Sequence, residues 1–380
     1  MSTQIVVISH SAVKQAARLR YQSLLKDHNL SIHLIIPNRW YESESWVDVD
    51  TPQQQNVDTL PLPIRFPSAG RAGWYLHYYP QLSKLFELIQ PNLIHLWEEP
   101  WSLVALQAVR LRNKFYPKSP LLLEVDQNIF KKLPPPFQSI RQYVLSKTNC
   151  VFARSKDAAD VIRQCGYTGP IEYIGYGVDT RIFYPSYIAK TTDSLSNQFR
   201  MGYAGRLIPE KGIEDIISAM KLTKTNTTLS IMGQGPYKHK LMQFTAELNL
   251  ENRVKFFDAT SNPLEVAEFM NSVDVTLLMT RTTDNVKEQF GRAIIESQAC
   301  GVPVIGSNSG EIPITIGKGG WVVPERNPIL LAEKIDCIAN NPLQYEYAKM
   351  QGLQQVSHMY SFDTLAEVLH KTWNTCLSKN

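Results

Sequence analysis

The chain has 380 residues, too many for one ordinary core at roughly 100–200 residues per domain. With 43% hydrophobic and 19% charged residues it is not a disordered chain, and no apolar run reaches the ~18–20 residues that a transmembrane helix needs. A net charge of +4 is too weak to point to nucleic acid. Met1–Gln4 carry no basic stretch, and Ile5–Ile8 is too short for a signal-peptide core. The five cysteines (Cys150, Cys165, Cys300, Cys337, Cys376) form no C-x-x-C pair and no metal-ligand spacing, so a reducing, cytoplasmic setting is expected.

In chain order, short apolar runs rich in β-branched residues alternate with helical patterns. Ile5–Ile8, Ile32–Ile36, Leu93–Leu96, Leu121–Val125, Cys150–Ala153 and Ile171–Ile174 read as buried parallel strands. Helices are predicted over Val13–Lys26, Trp74–Ile89, Ser102–Lys114, Phe137–Ser146 and Asp157–Cys165. After the polar, aperiodic stretch Ser186–Gln198 the alternation starts again. Its strands are Arg200–Ala204, Leu229–Met232, Val254–Phe257, Val275–Leu278 and Val304–Gly306, with helices at Ile213–Leu222, Tyr237–Leu248, Leu264–Met270 and Arg292–Ala299. Two such series predict two doubly wound α/β domains, whose strand ends bind ligands. The amphipathic helix Ser361–Leu377 has no strand after it and needs a surface to cover; the first domain is the candidate.

Two motifs carry chemistry. Gly202-Tyr-Ala-Gly-Arg-Leu-Ile-Pro-Glu-Lys-Gly212 leaves a strand through Gly205 and opens a helix near Gly212. Arg206 and Lys211 beside that helix N-terminus form a candidate diphosphate clamp: amides and dipole favour an anion there, Arg adds a two-pronged donor and Lys a point charge. A solvated surface turn is the competing reading. Glu288-Gln-Phe-Gly-Arg-Ala-Ile-Ile-Glu296 puts one carboxylate in the loop before a helix and the other on its body. Glu288 could accept hydrogen bonds from sugar hydroxyls, Phe290 and Gly291 could offer amides to a diphosphate, and Glu296 could take both hydroxyls of a ribose. Against a solvated Glu296 stand Ile294, Ile295 and Ala299, beside which an unpaired carboxylate would be costly.

Together these motifs resemble the retaining, B-type glycosyltransferases of family 4, which have two Rossmann-like domains. The resemblance runs from about Gly202 to Trp321 and includes Met232-Gly-Gln-Gly-Pro236, Val275–Leu278 and Gly301-Val-Pro-Val-Ile-Gly306. Ile174-Gly-Tyr-Gly-Val-Asp179, with Phe183 and Pro185, is similar to the family's interdomain turn. Gly310-Glu-Ile-Pro313 matches in part, with Ile314 where the family usually has Glu. The resemblance implies a nucleotide-diphosphate sugar on the C-terminal domain. Arg206 and Lys211 would neutralise the departing diphosphate, Glu288 would hold the sugar and Glu296 the ribose. Gly205, Gly233, Phe290 and Gly291 would complete the donor contacts, with the base near Gly233 and Phe256–Ala259. Catalysis would rest on positioning and charge stabilisation. No metal or other cofactor is expected, and no Asp-x-Asp loop in the second half or cluster of His, Asp and Glu is visible.

The N-terminal half departs from the family pattern. The loop Ser9-His-Ser-Ala-Val-Lys14 has no glycine where the family commonly has a glycine-rich loop, and Asp126 stands where a histidine is usual. His10, Lys14, Glu99 and Asp126 are the acceptor-side candidates; ordinary loop residues and, for Asp126, a helix cap are the competing readings. Glu98 and Glu99 point towards the cleft by strand polarity, and His95 reads as structural. Residues 101–150 hold 8 cationic and 2 anionic side chains. Arg110, Arg112, Lys114, Lys118, Lys131, Lys132, Arg141 and Lys147 interleave with Phe130 and Leu133-Pro-Pro-Pro-Phe137, a pattern that suits an anionic membrane face or a phosphate-bearing lipid-linked acceptor as well as a solvated basic surface.

The expected fold is therefore α/β, two Rossmann-like doubly wound domains facing each other across a cleft (GT-B type). Residues 1–185 form the acceptor side, 186–199 a linker and 200–355 the donor side. The expected activity moves a hexose from a nucleotide-diphosphate sugar, UDP favoured over GDP, to a hydroxyl of a glycan, lipid-linked or small-molecule acceptor. An epimerase of the same fold and an inactive binding subunit are the alternatives. A dehydrogenase is excluded, because no G-x-G-x-x-G follows Ile5–Ile8 or Arg200–Ala204.

Overall fold

The computed structural model describes residues 2–26, 29–42, 45–49, 57–66, 72–186 and 198–379. The chain divides into two units, Met1–Gly175 with Phe362–Asn380, and Tyr176–Ser361.

The first unit is built on β1 (Thr3–Ser9), β2 (Leu30–Pro37), β3 (Arg39–Glu42), β4 (Ser45–Asp48), β5 (Asp58–Leu62), β6 (Leu93–Trp97), β7 (Leu121–Val125), β8 (Cys150–Ala153) and β9 (Ile171–Tyr173). Seven of these pair in parallel in the order β5-β2-β1-β6-β7-β8-β9. The central strands are mostly apolar and buried, with Ile5, Val6, Val7 and Ile8 all fully buried and His95 and Glu124 the buried polar exceptions. Strands β3 and β4 form a separate antiparallel hairpin. Helices α1 (Gln15–Arg18), α2 (Ala72–Leu76), α3 (Leu82–Ile89), α4 (Leu103–Phe115), α5 (Phe137–Ser146) and α6 (Lys156–Gln164) connect the strands.

The second unit contains β10 (Phe199–Ala204), β11 (Thr227–Met232), β12 (Val254–Phe257), β13 (Val275–Leu278), β14 (Val304–Ser307) and β15 (Gly320–Val323). They are all parallel, in the order β12-β11-β10-β13-β14-β15. Its helices are α7 (Ile213–Leu222), α8 (Lys238–Glu247), α9 (Pro263–Asn271), α10 (Arg292–Ala299), α11 (Ile312–Ile316), α12 (Pro328–Ala339) and α13 (Pro342–Gln355). In each sheet the order reverses once, between β1 and β6 and between β10 and β13. Loops leaving the two strands at such a reversal depart on opposite faces and open a crevice at the carboxyl ends.

The structure corrects several sequence expectations. The helix expected over Val13–Lys26 is a 3₁₀ turn (Ser11–Val13), α1 and a 3₁₀ segment (Leu19–Lys26). The buried Arg18 explains the break: its guanidinium donates to the carbonyls of Ala12 at 3.0 Å and Val13 at 2.6 Å, which a continuous helix would use itself. The helix expected over Trp74–Ile89 is interrupted between α2 and α3, where Pro80 has no amide hydrogen and Arg65 bridges Tyr78. The division between units falls at Gly175 rather than 185. Residues after it are bound to the second unit, with the Val178 amide on the Tyr360 carbonyl at 2.8 Å and the Ser186 amide on Asn271 Oδ1 at 2.8 Å. Of the expected linker 186–199, residues 187–197 lie outside the described residues. Helices α12 and α13, absent from the sequence reading, open on Asn-Pro pairs: Asn327 and Asn341 accept the amides of Leu330 and Gln344, and Pro takes the first helical position.

The last helix, α14 (Phe362–Leu377), belongs to the first unit. Ser23 donates to its Asp363 at 2.5 Å. Trp373 on its inner face is fully buried, edge-on to the His95 ring at 5.8 Å. Trp373→Ala is expected to lower stability by about 3–5 kcal/mol, the usual cost of emptying a large aromatic site. A urea midpoint unchanged from wild type would show that the helix is not part of that core.

Candidate functional site

On the second unit, the site grows from the loops after β10 and β13. Gly233, just past β11, runs so close to the β10 loop that a Cβ on it would lie 2.1 Å from the Gly205 carbonyl oxygen. Gly212 has φ +63°, and a Cβ there would meet the Met279 carbonyl oxygen at 2.0 Å. This approach presses the end of the Arg206–Lys211 loop onto the end of β13. Arg281 holds it there, donating to both Asp215 oxygens at 2.9 and 2.7 Å and through its amide to the Glu210 carbonyl at 2.7 Å.

Lys211, Thr280 and Glu288 then converge. Lys211 Nζ lies 2.5 Å from Glu288 Oε2, and Thr280 Oγ1 donates to the same oxygen at 2.6 Å. Glu288 sits in the loop before α10, its carbonyl taken by the Glu311 amide at 3.2 Å and its amide facing Ser309 Oγ at 3.4 Å. Burial alone would raise its pKa, but the Lys211 charge, the hydrogen bonds from Lys211 and Thr280 and the Arg206 charge outweigh it and hold the carboxyl below the ordinary range. Arg206 is exposed, its backbone carbonyl fixed by the buried Tyr203 hydroxyl at 2.8 Å. Phe290 is buried, and the amides of Phe290 and Gly291 have no acceptor among the described residues. The cluster can thus present two cations, two amides and a carboxylate to a ligand carrying an anion and hydroxyls.

Not every sequence candidate joins it. Glu296 lies on α10, part-buried and 3.5 Å from Arg292, with no contact to the Lys211–Glu288 pair among the described residues. Thr280 is absent from the sequence reading; its signal is a buried hydroxyl just past a fully buried strand, at the strand's carboxyl end.

On the first unit, the ends of β1, β6, β7 and β8 gather a second polar group. Glu98 Oε1 accepts the His10 amide at 2.7 Å and Oε2 lies 2.6 Å from His10 Nδ1. His77 Nε2 is 3.6 Å from Glu98 Oε1. The sequence expectation of no clustered His, Asp and Glu is therefore corrected: three elements far apart in the chain meet here, a juxtaposition no linear spacing reveals. Burial would raise the Glu98 carboxyl, but the two histidines hold it down at about 2. Glu99 faces the other way, with Oε1 accepting the amides of Asp126 and Gln127, both at 2.9 Å, and burial followed by the Asp126 charge pushes it up to about 7. Asp126 accepts from Trp97 Nε1 at 3.2 Å and lies 3.4 Å from Arg154 Nε. Lys14 is exposed beside His10's loop.

Beneath them Glu124 is fully buried. Arg20 forms a two-pronged pair with it at 2.7 and 2.8 Å, Arg154 pairs with Oε1, and His95 Nε2 is 3.1 Å from Oε2. Both guanidiniums lie against the Trp97 ring, 4.8 and 4.6 Å from its centroid. Burial would raise the Glu124 pKa, yet Arg154 and Arg20 hold it far below the ordinary range, and burial keeps His95 below its own. Of the basic segment, Arg141 is buried rather than exposed, donating to the Lys131 carbonyl at 3.1 Å and Gln138 Oε1 at 2.5 Å, and Lys131 donates to Gln127 at 3.0 Å. Arg110, Lys114, Lys118, Lys132 and Lys147 remain exposed, and Arg112 is half-buried.

Glu124→Gln leaves two buried guanidiniums short of their anion and is expected to destabilise the protein by about 3–5 kcal/mol. Because the folded pKa of Glu124 is depressed, its contribution is present above the ordinary carboxylate range and lost as pH falls below about 4. Stability measured by urea titration from pH 7 to pH 3 should therefore fall less steeply in Glu124→Gln than in wild type; parallel profiles would contradict the assignment.

Residues 188–355 match the family described as glycosyl transferases group 1. The capsular polysaccharide biosynthesis glycosyltransferase CapM of Staphylococcus aureus is 28% identical over 192 residues, covering 49% of this chain and 48% of the relative. A GDP-mannose-dependent alpha-(1-6)-phosphatidylinositol monomannoside mannosyltransferase of Mycobacterium tuberculosis is 28% identical over 219 residues, covering 54% of this chain and 56% of the relative. The chain thus spans about half the length of these curated relatives. The fold matches sucrose-phosphate synthase from Thermosynechococcus elongatus, with TM-score 0.74, 19% identity and 100% of both chains covered. It also matches Anabaena HepE in complex with UDP and glucose, with TM-score 0.73, 18% identity, and 98% of this chain and 100% of the other covered. These likenesses show the two-domain GT-B fold, and residues 188–355 are similar to the group 1 glycosyl transferases.

Proposed function

We propose that the chain is a retaining glycosyltransferase that moves a hexose from a nucleotide-diphosphate sugar to an acceptor hydroxyl. The observation that carries this reading is the Lys211–Glu288–Thr280 cluster at the β10/β13 reversal, with the exposed Arg206 beside it. The donor's diphosphate takes Arg206, one of the three Lys211 N–H groups and the amides of Phe290 and Gly291. Glu288, ionised and held by Thr280, accepts hydroxyls of the sugar, and Glu296 turns from Arg292 to the ribose. As the bond from the anomeric carbon to the diphosphate breaks, negative charge grows on the phosphate oxygen, where the two cations stabilise it most. The acceptor oxygen bonds to the anomeric carbon on the same face and passes its proton to the departing diphosphate, which preserves configuration. This step assigns no metal to the centre. UDP-sugars are the first donors to test and GDP-sugars the second, given the UDP complex of HepE and the GDP-mannose dependence of the mycobacterial relative.

For the acceptor, the names of the relatives point to capsular polysaccharide and phosphatidylinositol mannoside chemistry. Among the described residues no helix is long and apolar enough to cross a membrane. The exposed Arg110, Lys114, Lys118, Lys132 and Lys147, with Phe130 41% exposed, fit peripheral docking on the anionic cytoplasmic face of a membrane.

Arg206→Ala and Lys211→Ala are each expected to lower turnover by a factor on the order of 10²–10³. Glu288→Gln should act mainly on kcat and Glu296→Ala mainly on KM, because a ribose contact is made alike in ground and transition states. Near-normal turnover in both cation variants would overturn the clamp. In sedimentation with anionic liposomes, binding should fall with added salt and with Lys132→Glu/Lys147→Glu. Wild type that stays in the supernatant at low salt would remove the membrane part of the reading.

A further inference from the structure

The first unit's strand-order reversal, between β1 and β6, carries its own group of donor atoms. His10 follows β1 directly, Glu98 follows β6, and His77 follows α2. His77 is fully buried. Its Nδ1 lies 2.8 Å from the Gly73 carbonyl oxygen, which can only accept, so Nδ1 carries a proton and Nε2 is the nitrogen left to face a ligand. That Nε2 has no hydrogen-bond partner among the described residues. It faces Glu98 Oε1 across 3.6 Å, too far for a hydrogen bond and close for two acceptors. A buried ring nitrogen facing a carboxylate oxygen needs a positive charge there, which a proton on Nε2 or a metal ion between the two can supply. Water could reach His10, whose side chain is 19% exposed, but His77 and Glu98 are closed off.

We propose that His10, His77 and Glu98 form a binding site for one divalent transition-metal ion of the zinc type. The donor set suits that class: two imidazoles and one carboxylate, with a fourth position left for water or a substrate oxygen. The three donors all lie within 4.8 Å of one another. Bonds of about 2.0–2.1 Å place tetrahedral ligands about 3.3 Å apart, so no pair needs to close by more than about 1.5 Å. On binding, the hydrogen bond between His10 and Glu98 gives way to two bonds to the ion, and His10 binds through Nδ1 as a neutral ring with its proton on Nε2, a protonated ring releasing its second proton to solvent. The surroundings already supply what a metal-bound histidine needs. The Gly73 carbonyl fixes the His77 tautomer, and the Trp40 ring packs against His10 at 4.6 Å and His77 at 4.9 Å. The site is built from residues of the first unit alone and stands whether or not the glycosyltransferase reading holds.

The test is titration of the chelator-stripped full chain with Zn²⁺ alone, by calorimetry, with elemental analysis after dialysis. Wild type should retain one ion per chain. His10→Gln and Glu98→Gln should each weaken binding by at least 100-fold, and His358→Gln, at an exposed histidine, should not. Co²⁺ in place of Zn²⁺ should give a visible spectrum of nitrogen and oxygen ligands without a thiolate charge-transfer band, which separates this site from the five cysteines. His10 is partly exposed, so His10→Gln keeps the test intact if the Glu98 variant fails to fold; matched melting of the stripped proteins checks this. No stoichiometric uptake by wild type, a thiolate band at the first equivalent, or wild-type affinity in a folded His10→Gln would each overturn the proposal.

Discussion

A parallel sheet whose strand order reverses cannot cover its own carboxyl edge at the reversal, because the loops on either side leave on opposite faces. Both sheets here reverse once, and the candidate site side chains hang from those two places. In the second unit the β10 loop brings Lys211 and the β13 end brings Thr280, and both reach Glu288 from the loop before α10. In the first unit His10 follows β1 and Glu98 follows β6. The sheets below carry the large apolar cores; the crevices are where backbone amides and charged groups can meet a ligand.

The charges themselves sort into two kinds. Glu124 is enclosed by Arg20, Arg154 and His95, with 0% of its side chain exposed, and its partners have no route to a ligand. Such a pair is costly to break and contributes little that packing could not, so its role is to hold β7 and β8 to the segment after β1. Glu288 is also paired, but 12% of its side chain and 16% of that of Lys211 remain open, and Arg206 beside them is exposed. A cation whose three N–H groups are not all used and a carboxylate with a second oxygen can rearrange around an incoming anion without either being left bare.

How much of this is legible in the sequence follows from distance along the chain. Arg206, Lys211 and Glu288 stand in compact local motifs, each a strand exit followed by a helix start, and their convergence follows from the parallel order of the strands. Thr280 looks like the polar end of an apolar run and is easily passed over. His77 is illegible: it lies between two short helices that periodicity merges into one, and its partners His10 and Glu98 are brought to it only by the strand order. Arg18 and Arg20 likewise look like solvated residues of an amphipathic helix, and only their burial against carbonyls and Glu124 shows why that helix breaks. The Asn-Pro pairs at Asn327 and Asn341 carry a local cap signal that the sequence reading passes over.

The central claim is that the Lys211–Glu288 cluster holds the diphosphate sugar of a nucleotide donor. Thermal unfolding of the whole chain against a panel of UDP- and GDP-sugars tests it directly. A ligand present at about 100 times its dissociation constant adds ~2.7 kcal/mol of stability, which raises the melting temperature measurably. At least one nucleotide sugar should do this for wild type and fail to do so for Lys211→Ala at the same concentration. Equal stabilisation of wild type and Lys211→Ala by that donor would contradict the account.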